Sequence, residues 1–237
     1  MKKFIIFVFS VLVIAGIVAI YFFFISSDRR TRGTSFVIPF IRNPEAHQHW
    51  AVEALSTCNG APFVMPTRGL IGYVWDDSFK IGHRHQGIDI FAGTDIGITP
   101  VYAAYDGYLS RLPEWKSTLI IRIPSDPLQP DRQIWTYYTH MADPDGNPLI
   151  AAEFPPGTSE EFVKAGTLLG FQGDYSGDAS NPVGVHLHFS IIKDSGTGKF
   201  LNELEIANTL DPSPYLGLPL NKNDHPEYPI KCPNSTK

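Results

Sequence analysis

The sequence predicts an all-β domain of mainly antiparallel sheets behind an N-terminal transmembrane helix, and three observations carry that expectation. From Ala61 onward the chain breaks into short β-branched and aromatic runs punctuated by Gly, Pro and Asp. One of these runs, residues 184–192 (GVHLHFSII), alternates His186 and His188 with Leu187 and Phe189, the period of a half-buried strand. Ahead of the domain, residues 4–25 form a run of 22 residues without a charge. As a helix rising about 1.5 Å per residue that run would cover roughly 33 Å, enough for a hydrocarbon core of about 30 Å.

With 237 residues, 43% of them hydrophobic and 18% charged, the chain is long enough for a sizeable core in one main domain. Residues 1–25 are read as the anchor. A cleaved signal peptide is the competing reading, although its apolar region usually covers about 7 to 15 residues. Lys2 and Lys3 precede the span while Arg29, Arg30 and Arg32 follow it, so charge does not settle the orientation. Beyond Lys3 there are 17 basic and 24 acidic residues, a formal charge of −7, which argues against nucleic acid as a partner.

Residues 26–57 read as a linker, polar and arginine-rich at first. Asn43, Pro44 and Glu45 have the order of a helix start, so a short helix is expected from there toward Leu55. His47 and His49 lie two apart in it, point in different directions and are taken as surface residues. Residues 70–75 give the first strand. Residues 82–92 (GHRHQGIDIFA) follow, with His85 and Asp89 four apart. On a straight strand those two would stand about 13 Å apart, so sharing one ion requires a bend, which Gly87 permits. His83 competes with them as a ligand or else lines the cleft.

In residues 100–111 two strand-like runs flank the turn signal Asp106-Gly107. Residues 118–123 continue the sheet, the Pro-containing stretch 125–132 is loop, and residues 133–140 alternate again. Along that strand Ile134, Thr136, Tyr138 and His140 share a face. Residues 173–183, rich in Gly, Asp, Ser and Asn, should be a mobile loop leading into the strand of His186 and His188. Those two imidazoles share one face while Leu187 and Phe189 enter the core. The domain runs over residues 58–216, and the Pro-rich tail 217–237 looks like a surface wrap.

Three ordered motifs, H85QGID89, Y138TH140 and H186LH188, resemble those of the lysostaphin-type (LytM-like) zinc endopeptidases, which cut peptidoglycan peptides. The resemblance covers about residues 63–216, with further matches at G97ITPVYAAYDG107, V163KAGTLLG170 and D211PSPYL216. It implies a LytM/lysostaphin-like β-domain with one zinc ion per chain held by His85, Asp89 and His188. It also implies that His140 and His186 handle protons. Spacing does not distinguish His186 from His188 as the ligand; the resemblance makes that assignment. Departures are Ser190, where a Glu is common, the stretch 114–117 in place of a Gly-containing turn, and the long loop 124–132. Two imidazoles and one carboxylate leave a fourth position open, as in catalytic rather than structural zinc sites. No H-E-x-x-H occurs, so His140 and His186 are the candidate bases.

The expected function is that of a membrane-anchored, single-pass zinc metalloendopeptidase, its domain outside the cytoplasm, acting on peptide cross-links or stem peptides of peptidoglycan. A non-catalytic module that binds the wall or regulates a partner hydrolase is the alternative. A lipoyl- or biotinyl-type carrier barrel is disfavoured because no Lys occupies the Asp106-Gly107 turn. Cys58 and Cys232 form no CxxC pair; in an oxidising compartment they are expected to bond, and otherwise they are free thiols.

Overall fold

A computed structural model describes residues 13–18, 20, 32–78, 82–233 and 235–236. The predicted span, residues 4–25, lies mostly outside them. Its described part, 13–18 and 20, is helical, with exposed Val13, Ile14, Ile17 and Ile20. Among the described residues no helix is long and apolar enough to cross a membrane.

Among the described residues the strands are, in chain order, β1 (Thr57–Cys58), β2 (Leu70–Tyr73), β3 (Ile88–Phe91), β4 (Pro100–Tyr102), β5 (Gly107–Ser110), β6 (Leu119–Ile123), β7 (Ile134–Thr139), β8 (Glu161–Val163), β9 (Leu168–Phe171), β10 (His186–Lys193), β11 (Thr209–Leu210) and β12 (Ser235–Thr236). The main sheet has the order β2-β3-β10-β7-β6-β5-β8, with β11 also paired to β10, and every pairing in it is antiparallel. β10 is thus central and was correctly legible as a strand. It is not half-buried: seven of its eight residues are buried.

One face of the sheet carries Ile88, Ile90, Leu187, Phe189, Ile191 and Tyr138 into the main core, where Val101 of β4 and Leu169 of β9 meet them. Those two strands pair with each other and form a second layer. The Asp106-Gly107 turn therefore joins two sheets and makes no hairpin; β4 pairs with β9, while β5 pairs with β6 and β8. The loop 124–132 closes on Asp126, which is fully buried and accepts from Arg132 and from the Tyr215 hydroxyl, the latter at 2.7 Å.

Two segments carry more structure than their composition alone suggests. The supposed linker contains helix α1 (Arg32–Arg42), and the Asn43-capped helix α2 (Pro44–His47) is a single turn that passes into a 3₁₀ turn at Gln48–Trp50. α1 buries Val37 and Phe40 against Leu70 and Phe91. Such close docking needs bare backbone on the strand, since a Cβ on Gly72 would come within 2.4 Å of Val37 Cγ2. The tail is also more than a wrap. Leu218, Leu220 and Ile230 belong to the main core, and Cys58 and Cys232 are disulfide-bonded with Cα atoms 5.3 Å apart.

Candidate metal centre

The other face of the main sheet bears the chemistry. β10 presents His186 and His188 there, and the register sets His186 opposite Phe91 and His188 opposite both Asp89 of β3 and Thr139 of β7. Two apolar clusters flank the histidines on this face. Phe91 and Leu70 with α1 lie on one side, and Ile120, Trp135 and Ile192 with Trp115, Tyr137 and Phe200 on the other. Between them opens a cleft of about 540 Å³, lined by His83, Tyr73, Tyr137, Ser176 and Leu204 in addition to the site residues.

His85 reaches the centre from the segment before β3. The bend that its spacing required is present, for its Nε2 lies 3.1 Å from Asp89 Oδ1. Gly87 serves this geometry through close approach, since a Cβ there would sit 2.2 Å from the Phe189 carbonyl oxygen. His140 is placed otherwise than alternation predicts. Tyr138 faces the core, so a regular strand would send His140 to that side too. Instead β7 ends at Thr139 and His140 adopts φ +71°, a left-handed conformation uncommon for a residue with a Cβ, which turns its ring back to the metal face. Its centroid lies 4.6 Å from that of His186 and 6.1 Å from that of His188.

Three potential ligand atoms converge, with His85 Nε2, His188 Nδ1 and Asp89 Oδ1 forming a triangle whose edges are 3.0, 2.8 and 3.1 Å. Among the described residues this is the group able to hold a metal ion, and all three members are buried. Tetrahedral zinc with bonds of about 2.1 Å separates its ligands by about 3.4 Å, so the triangle fits one ion with small adjustment. Hydrogen bonds on the far side of each ring define what faces inward. His85 Nδ1 lies 3.0 Å from the Val74 carbonyl oxygen and His188 Nε2 lies 2.9 Å from Glu203 Oε1. Both acceptors only accept, so those nitrogens carry the protons and the inner ones present lone pairs. Two lone pairs and a carboxylate packed together in a buried place require a cation.

Electrostatics agree with that requirement. Burial would raise the Asp89 pKa, but the surrounding imidazoles, His85 foremost, outweigh it and hold the carboxyl well below the usual range. Burial also opposes charge on His188, yet the Glu203 and Asp89 carboxylates on either side raise its pKa to about 10.

The remaining two histidines are tied the same way and differ in what they face. His140 Nδ1 donates to the Tyr175 carbonyl at 2.7 Å, and His186 Nδ1 to the Gly184 carbonyl at 2.7 Å. Each keeps Nε2 as a lone pair, and that of His186 lies 3.6 Å from Asp89 Oδ1. Burial lowers both pKa values, with neighbouring imidazoles adding to the effect at His140, which falls to about 3. The loop 173–183 is accordingly anchored at its ends, through Tyr175 and through the Asp174 carboxylate that accepts from Gly184 N. His83 stands outside the triangle, its ring 6.3 Å from that of His85. His47 and His49 are remote from the cleft, beside Trp50. Sequence reasoning missed Glu203, whose only signal was an acidic residue in a loop.

No family model matches the chain, and no curated protein matches it either. Solved structures do. A protein of Ruminococcus gnavus assigned as glycyl-glycine endopeptidase lytM is 28% identical, with a TM-score of 0.36 over 61% of this chain and 48% of its own. Lysostaphin is 22% identical, with a TM-score of 0.39 over 62% and 49%. The catalytic domain of the prophage-encoded M23 protein EnpA from Enterococcus faecalis, a point mutant, is 21% identical, with a TM-score of 0.37 over 63% and 95%. The chain spans about half the length of the first two.

Proposed function

We propose that this chain is a zinc-dependent endopeptidase that hydrolyses peptide bonds of peptidoglycan, anchored in the cell membrane through residues 4–25 with its β-domain outside the cytoplasm. The observation that carries the reading is the buried triangle of His85, Asp89 and His188 beside two histidines whose Nε2 lone pairs remain available. The three converging atoms would hold the ion, and zinc when bound supplies the Lewis acidity that polarises a peptide carbonyl and acidifies water. His140 and His186 supply the proton traffic. Each is neutral near pH 7 because burial disfavours its charged form, so each can accept a proton from an attacking water. A proton taken by one of them can pass to the leaving amine, and the N–H so formed can donate to the oxyanion.

The peptidoglycan substrate rests on the motif resemblance, and the membrane anchor on the uncharged run 4–25, whose described residues form an exposed apolar helix. The test is digestion of purified muropeptides followed by mass spectrometry. Cleavage should create new amino termini within stem or cross-link peptides and should stop on chelation. If cross-linked and uncross-linked muropeptides both survive zinc-loaded protein, the hydrolase reading is wrong.

A further inference from the structure

Each of the four imidazoles in the centre is fixed through one of its ring nitrogens by an outward hydrogen bond, but the acceptors differ in kind. His85, His140 and His186 donate to backbone carbonyls of Val74, Tyr175 and Gly184. Such acceptors come with the fold, whatever side chain the position carries. On the nitrogen turned away from the converging atoms, His188 alone among them is held by a side chain, the Glu203 carboxylate at 2.9 Å.

The segment bearing Glu203 is built to hold it there. It lies in the irregular stretch between β10 and β11, where Asn202 Oδ1 accepts from Leu204 N at 3.2 Å and Asn208 Nδ2 donates to the Asn202 carbonyl at 2.9 Å. Gln86, in the turn between His85 and Asp89, donates from Nε2 to the Leu204 carbonyl at 2.8 Å. The His85–Asp89 segment and β10 are therefore both tied to this stretch. The Glu203 side chain is only 11% exposed, against the cost of burying a carboxylate. The strand itself supplies no carboxylate here: Ser190, next after His188 on that face, is fully buried and carries only a hydroxyl.

We infer that Glu203 is a positioning residue for the metal ligand His188: its carboxylate takes the Nε2 proton, fixes the ring, and leaves Nδ1 facing His85 and Asp89. The inference rests on the metal reading above. It separates into two contributions, orientation of the ring and a charge that raises its basicity. Glu203→Gln retains an acceptor oxygen and loses the charge, whereas Glu203→Ala loses both.

Zinc affinity decides the matter, measured on the detergent-solubilised full chain by competition with a chromophoric chelator. Glu203→Ala should bind zinc about 10- to 100-fold more weakly, the usual range for losing such a partner, and Glu203→Gln should recover most of that loss. Wild-type affinity in a folded Glu203→Ala variant overturns the inference while leaving the metal reading intact. No zinc binding by the wild type overturns both. Imidazole nitrogen chemical shifts of the zinc-loaded wild type give a second readout that needs no variant to fold. They should place the metal on His188 Nδ1 and a hydrogen-bonded proton on Nε2; metal on Nε2 ends the inference.

Discussion

Asp89 and His140 stand within one cleft and should fail in different ways when removed. Asp89→Ala takes an anionic ligand from the buried triangle, so bound zinc and activity are expected to fall together. His140→Ala leaves the triangle intact, so zinc should remain while turnover drops roughly 10²- to 10⁴-fold through loss of a positioned proton acceptor; His186→Ala should follow it. Metal analysis beside a muropeptide assay separates the cases, and loss of zinc from His140→Ala would make His140 a ligand. His140 also predicts a pH effect on the metal-free protein. Its folded pKa, lowered to about 3 chiefly by burial, lies below the ordinary 6.5. Between those values the unfolded chain binds the extra proton, so the stability due to neutral His140 is present above about pH 6.5 and is lost as pH falls toward about 3. Urea denaturation of wild type and His140→Asn should diverge in pH dependence across that window; parallel curves would remove the assignment. At this scale the sequence was informative where motifs exist, at His85, Asp89, His140, His186 and His188. Glu203 was illegible because a loop carboxylate meets His188 only through tertiary folding.

Among the elements, the pairing of β3 with β10 determines whether the ligands meet. Gly87→Ala would press a Cβ against the Phe189 carbonyl oxygen, at 2.2 Å in the present geometry. Overpacking of that kind should cost about 1 to 3 kcal/mol and weaken zinc binding, although Gly87 touches no ligand atom. Thermal denaturation and the chelator titration check the two effects, and unchanged zinc affinity would show that the strands can part without disturbing the centre. Alternation made β7 and β10 readable as strands, but it misassigned the face of His140, because a single left-handed residue breaks the period. Helix α1 was unreadable for a different reason. Pro39 inside it and the polar residues before it resemble linker composition, and its apolar face has meaning only against Leu70 and Phe91.

For the whole molecule, the disulfide joins residues 174 positions apart and fastens the tail whose Leu218, Leu220 and Ile230 enter the core. Replacing Cys58 and Cys232 by Ser should lower stability by up to about 5 kcal/mol in the loop-entropy account, with zinc affinity retained. Denaturant titration of the two forms measures it, and equal midpoints would mean that the packed tail holds without the bond. Topology is tested by protease treatment of intact spheroplasts, where the β-domain should be degraded; protection until lysis would reverse the orientation and remove the proposed substrate.

The docking of α1 against β2 also bounds where such an enzyme could work. With residues 4–25 in the bilayer, as proposed, seven Cα steps separate Ile25 from the first residue of a helix already fastened beside the cleft. Fully extended, they reach about 25 Å. The β-domain would thus be leashed closely to the lipid surface, grazing only the innermost stratum of the wall. Its territory would be set by geometry before any preference for one bond over another came into play.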